Sequence, residues 1–95
     1  MSDIRYRASQ ALNLHWASWN DEYVVFDEAS GQTHQLDAVR AYILHLMGGR
    51  PVTVSSIVHS LAELPSVPKD SITRVVVGVI LNEFETCGLA EAVAR

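Results

Sequence analysis

The sequence predicts an α+β domain in which a three-stranded antiparallel sheet precedes three helices. Three observations carry that expectation. Residues 14–36 alternate apolar with polar side chains and are rich in aromatic and β-branched types, the pattern of half-buried strands. From residue 38 onward the apolar residues recur at helical spacing instead. The turn-forming and helix-stopping residues Gly31, Gly48-Gly49, Pro65, Pro68 and Gly88 fall between the segments so defined. At 95 residues there is material for one core and one domain, residues 1–95, with no repeat to divide it.

Leu14-His15-Trp16-Ala17 alternates and predicts the first strand, and Glu22-Tyr23-Val24-Val25-Phe26 the second. Asp27-Glu28-Ala29-Ser30-Gly31 is turn chemistry, with Gly31 free to take positive φ. Gln32-Thr33-His34-Gln35-Leu36 then resumes an extended pattern and predicts a hairpin with the second strand. Residues 1–10 are polar and carry Arg5 and Arg7, and residues 1–12 are expected to form a flexible or loosely packed N-terminal segment.

Asp37 is placed to accept a hydrogen bond from the first amides of a helix over 38–47, whose positions Val39, Ile43, Leu46 and Met47 share one side. Gly48-Gly49 ends it. Pro51-Val52-Thr53 reads as a connector, and either Thr53 or Ser55 caps a second helix near 54–64 carrying Ile57, Val58, Leu61 and Leu64. Pro65 and Pro68 stop that helix because neither supplies an amide proton. Asp70 then opens the longest helix, 71–87, closed by Gly88, and Leu89 to Val93 is either a short strand or a helical remnant.

The run Val75-Val76-Val77 has strand character, but length and capping favour helix. At steps of roughly 100° per residue, Ile72, Val75, Val76, Val79, Ile80 and Cys87 share one face and Arg74, Gly78, Asn82 and Glu85 the opposite one. Val77, Leu81 and Phe84 form a shoulder between them. The apolar arc is wider than the stripe that an ordinary surface helix buries, so part of it requires a second surface. Cys87 is read as a small core residue.

Seven Lys and Arg against 11 Asp and Glu give a net charge of −4, the wrong sign for attraction to nucleic acid or an anionic membrane. A single cysteine makes no internal disulfide and fits a reducing compartment, and no signal or membrane-spanning stretch is present, so a cytosolic protein is expected. The four histidines, His15, His34, His45 and His59, lack the short spacing of a metal site, and no phosphate-binding glycine loop occurs. No nucleophile–base pairing or paired carboxylates stand out either, so neither catalytic residues, nor a metal, nor a cofactor is expected. What does stand out is the third strand, 32–36, a sheet edge with no proline or lysine to guard it.

Across 14–93 these segments resemble the PqqD-like peptide chaperones, whose domain is also called the RiPP recognition element. The resemblance rests on the hairpin ending in Leu36-Asp37, the run Leu46-Met47-Gly48-Gly49-Arg50-Pro51-Val52-Thr53, the helix Ile57-Val58-His59-Ser60-Leu61, and Leu81 to Cys87-Gly88-Leu89. The stretch from Trp16 to Asp27 with Ser30 to Leu36 is closer to the branch associated with HPr-kinase-related systems. The resemblance implies a winged-helix-like fold that takes up the unstructured leader of a ribosomally made precursor peptide as a fourth strand and presents it to a modifying enzyme. It implies peptide contacts at Thr33, His34, Gln35 and Leu36 on the strand and at Arg74, Val77 and Leu81 on the last helix. A winged-helix DNA-binding protein, or a homodimer paired through the strand edge or the apolar shoulder, are the competing expectations.

Overall fold

A computed structural model describes residues 4–9, 13–20, 22–65, 67 and 73–93. The expected sheet is there: β2 (Leu14–Trp19), β3 (Glu22–Asp27) and β4 (Gln32–Leu36) follow β1 (Arg5–Ala8) and lie in the order β2-β3-β4, all antiparallel. Trp16 pairs with Val25, and Val25 with His34. Gly31 takes φ +79° in the β3–β4 turn, where a β-carbon would be strained. The buried Asp27 carboxylate holds this turn, accepting from the Asn13 and Ala29 amides at 2.9 and 3.1 Å and from the Ser30 hydroxyl at 2.6 Å.

Helix α1 (Ala38–Gly49) is capped by Asp37, which accepts from the Arg40 amide at 2.8 Å. After a two-residue strand β5 (Val52–Thr53) comes α2 (Val54–Ala62), where Thr53 and Ser56 each accept from the other's amide at 3.1 Å in a reciprocal capping box. The last helix, α3 (Arg74–Thr86), has Thr73 as its N-cap. Asp70, Ser71 and Ile72, which the sequence places at its start, and Pro68 lie outside the described residues. Gly88, at φ +84°, turns the chain out of α3, and the tail resolves to strand β6 (Ala90–Val93).

The sheet's inner face and the three helices meet in one core. Val25 and Leu36 come from the sheet, Ile43, Leu44 and Met47 from α1, Ile57 and Leu61 from α2, and Val77, Ile80, Leu81 and Phe84 from α3. This corrects the expected orientation of the last helix. Val77, Leu81 and Phe84 are fully buried, whereas Val75 and Val79 are 77% and 52% exposed. Two stripes compete on this helix: Ile72, Val75, Val76, Val79 and Val77, Ile80, Leu81, Phe84 both follow the i, i+3, i+4, i+7 rule. The second contains the larger side chains and continues into buried Leu89, so it removes more apolar area from water.

A second sheet, in the order β5-β1-β6, is absent from the expectation. Strand β1 is its middle member, pairing Tyr6 with Val52 and with Ala92, and Arg7 pairs with Glu91 at 2.7 Å. Residues 5–8 are therefore anchored as a strand rather than loosely packed, Arg5 and Tyr6 on both sides and Arg7 and Ala8 on the β6 side, while residues 1–3 and 10–12 lie outside the described residues. Val52-Thr53 is a strand rather than a bare connector.

Candidate functional site

The open edge of β4 has a determinate chemistry, because alternate residues of an antiparallel strand turn their amide and carbonyl to opposite sides. The Glu28 amide donates to the Asn13 carbonyl at 2.9 Å, one step beyond the Leu14–Asp27 pair, so Glu28, Phe26 and Val24 face β2. Tyr23, Val25 and Asp27 consequently face β4. Their partners there are Leu36, His34 and Gln32, whose main-chain groups are engaged with β3. The amides and carbonyls of Thr33 and Gln35 face the open side, where no described strand pairs with them.

Beside that edge runs a groove of about 340 Å³ lined by Thr33 to Leu36 on β4, by Glu83, Phe84 and Cys87 on α3, by Arg40 on α1 and by Leu89. It continues into a polar hollow of about 280 Å³ that holds Ser9, Asp27 and Ser30 and shares His34 and Cys87 with it, so those two side chains form the neck. At the Leu36 end Arg40 closes the groove. Its guanidinium donates to both carboxylate oxygens of Glu83, at 2.9 and 3.1 Å, and to Asp37 at 2.7 Å, tying α1 to α3. The Glu83 carboxyl is held below its usual range by the Arg40 guanidinium, and Arg40 is raised by the same contact. On the sheet's outer surface the Gln35 amide group donates to Glu22.

The strand residues expected from the sequence, Thr33, His34, Gln35 and Leu36, thus all border one groove. The expected helix residues do not. Val77 and Leu81 are core, with 0% and 1% exposure, and Arg74 donates to the Ser55 hydroxyl at 2.6 Å on the α2 side of the helix. The helix wall is instead Glu83, Phe84 and Cys87, and Cys87 is exposed rather than core. The sequence holds the signal for this, since rotating the buried stripe to Val77, Ile80, Leu81 and Phe84 brings Glu83 and Cys87 to its flank. Arg40 carries a weaker one, standing three residues after its cap.

Among the described residues no three His, Cys, Asp or Glu side chains converge as a metal site, and no helix is long and apolar enough to cross a membrane. The arrangement offers main-chain donors and acceptors and an apolar-floored groove, which suit an extended peptide.

A model of the family described as coenzyme PQQ synthesis protein D (PqqD) matches residues 22–89. No curated protein matches the chain. A solved structure described as TbiB1 in complex with the TbiA(beta) leader peptide matches with a TM-score of 0.66 at 24% identity, covering 94% of this chain and 99% of that one. At that identity the likeness speaks for the fold.

Proposed function

The chain belongs to the PqqD family, and from that membership we propose that it is a non-catalytic peptide chaperone that binds the leader of a ribosomally made precursor peptide and presents it to a modifying enzyme. The observation that carries the reading is the pair of outward main-chain groups at Thr33 and Gln35 beside the groove walled by α3. A leader laid antiparallel on β4 bonds to these two residues, and its side chains opposite Leu36 and His34 turn into the groove. The similar fold has been solved with a leader peptide bound, which supports this occupant.

The proposal extends to a cytosolic setting, which the single free cysteine fits. It also extends to the branch associated with HPr-kinase-related systems, on the Trp16 to Leu36 segment. A homodimer paired through β4 would use the same Thr33 and Gln35 groups, so leader and second copy would compete there.

Proline scanning tests the reading, because proline deletes one amide proton. Thr33→Pro and Gln35→Pro are expected to fold and to bind at least about tenfold more weakly a leader peptide that the parent binds, through one lost main-chain bond and a crowded edge. His34→Pro breaks the pairing with Val25 and is expected to lose the fold. Titration calorimetry with urea melts reads both. Parental affinity in folded Thr33→Pro and Gln35→Pro variants would refute strand addition at β4.

A further inference from the structure

The sheet has a second free edge, on β2, and its chemistry is as determinate as that of β4. The Asn13 carbonyl accepts from Glu28, so Asn13, His15, Ala17 and Trp19 face β3, while the main-chain groups of Leu14, Trp16 and Ser18 face outward. No described strand pairs with that side. The six residues contain no lysine, proline or carboxylate, and their register with β3 is free of bulges, so none of the usual guards against edge pairing is present.

The side chains of Leu14 and Trp16 lie toward α1, at the junction of two hollows of about 410 and 390 Å³ that share Trp16 and His45. Tyr23, Tyr42 and Leu64 make the first of these apolar and aromatic. Trp16 itself is 43% exposed on the face that carries α1, and Trp19, three residues on, is 62% exposed on the opposite face of the sheet. An open main-chain ladder beside uncovered aromatic surface calls for an extended, uncharged strand with apolar side chains on alternate positions. Strand β2 meets that description itself.

We propose that β2 pairs antiparallel with β2 of a second copy of this chain, giving a two-fold homodimer with a continuous six-stranded sheet. Centred on Trp16, the pairing sets Trp16 against its counterpart and Leu14 opposite Ser18, using in each copy the three residues whose main-chain groups are outward. No like charges meet, because the strand carries none apart from His15, which is 2.9 Å from Glu28 and faces the other side of the sheet. The contact is isologous and closes at two copies. Both β4 edges remain at the outer margins of the joined sheet, free for their own ligand.

Sedimentation equilibrium of the full chain up to about 100 μM decides it, since dimerisation follows protomer concentration. The parent is expected to approach dimer mass. Ser18→Pro, which removes one outward amide, and Trp16→Lys, which supplies the missing edge guard, are each expected to raise the dimer dissociation constant at least about tenfold, or 1.4 kcal/mol. Thr33→Pro, on the other edge, is expected to leave it unchanged. A parent that stays monomeric throughout overturns the proposal, as does a Ser18→Pro or Trp16→Lys variant that dimerises like the parent. Loss of dimer in Thr33→Pro alone would assign self-association to β4 and equally reject the β2 interface.

Discussion

Asp27 shows how much of the site depends on one side chain. Its carboxylate joins the start of β2, through the Asn13 amide, to the β3–β4 turn, through Ala29 and Ser30, and so sets where β4 begins. Those contacts, the Asn13 amide first and the Ser30 hydroxyl next, hold its pKa below the usual aspartate value. A depressed folded-state pKa contributes stability that is present above the unfolded-state value and lost as pH falls through the folded one. Glu83, depressed by Arg40, acts in the same direction. Stability is therefore expected to fall over about pH 5 to 2, and Asp27→Asn to flatten that fall while lowering stability at neutral pH. Urea melts across that range check it. An unchanged slope in Asp27→Asn would mean that the turn does not depend on the charge.

Among the elements, α3 decides both core and groove, and its two apolar stripes make opposite predictions. With Val77, Ile80, Leu81 and Phe84 inward, Leu81→Asp or Val77→Asp buries an unpaired carboxylate among aliphatic side chains and is expected to cost more than about 4 kcal/mol, enough to unfold a small domain. Val75→Lys and Val79→Lys are expected to stay within about 0.5 kcal/mol of the parent, because those side chains already meet water. Thermal melts of the four variants separate the two stripes; collapse of the lysine variants with survival of the aspartate ones would turn the helix around. Glu83 and Cys87 reach the groove only because Val77, Ile80, Leu81 and Phe84 are inward, so the same melts test the groove's wall.

For the whole molecule, the second sheet joins the two ends of the described chain. Strand β1 sits between β5 and β6, with Ser9 donating to the Leu89 carbonyl at 3.1 Å directly after the turn out of α3. Deleting residues 1–9 removes the middle strand and leaves β5 and β6 unpaired, so the melting temperature is expected to drop by about 4–8 °C for each kcal/mol lost at this chain length. A truncated chain that melts with the parent would restore the loosely packed segment expected from sequence.

The sequence by itself determined the elements whose information is local. Period-two alternation gave β2, β3 and β4, Asp37 marked one helix start and left Thr53 or Ser55 for another, of which the structure selects Thr53, and Gly31 and Gly88 marked turns, because each is a preference of a few adjacent residues. The strand at residues 32–36 without proline or lysine was legible too, whereas the outward parity of Thr33 and Gln35 came only from the pairing with β3. Tertiary structure decided what depends on distant partners. Arg5 to Ala8 has no strand signature of its own and is extended because Val52-Thr53 and Ala90 to Val93 flank it. On α3 two stripes satisfy the same periodicity, and only the competition to bury the larger side chains against Val25, Leu44 and Ile57 selects between them. That selection placed Glu83 and Cys87 in the groove and Val77 and Leu81 in the core.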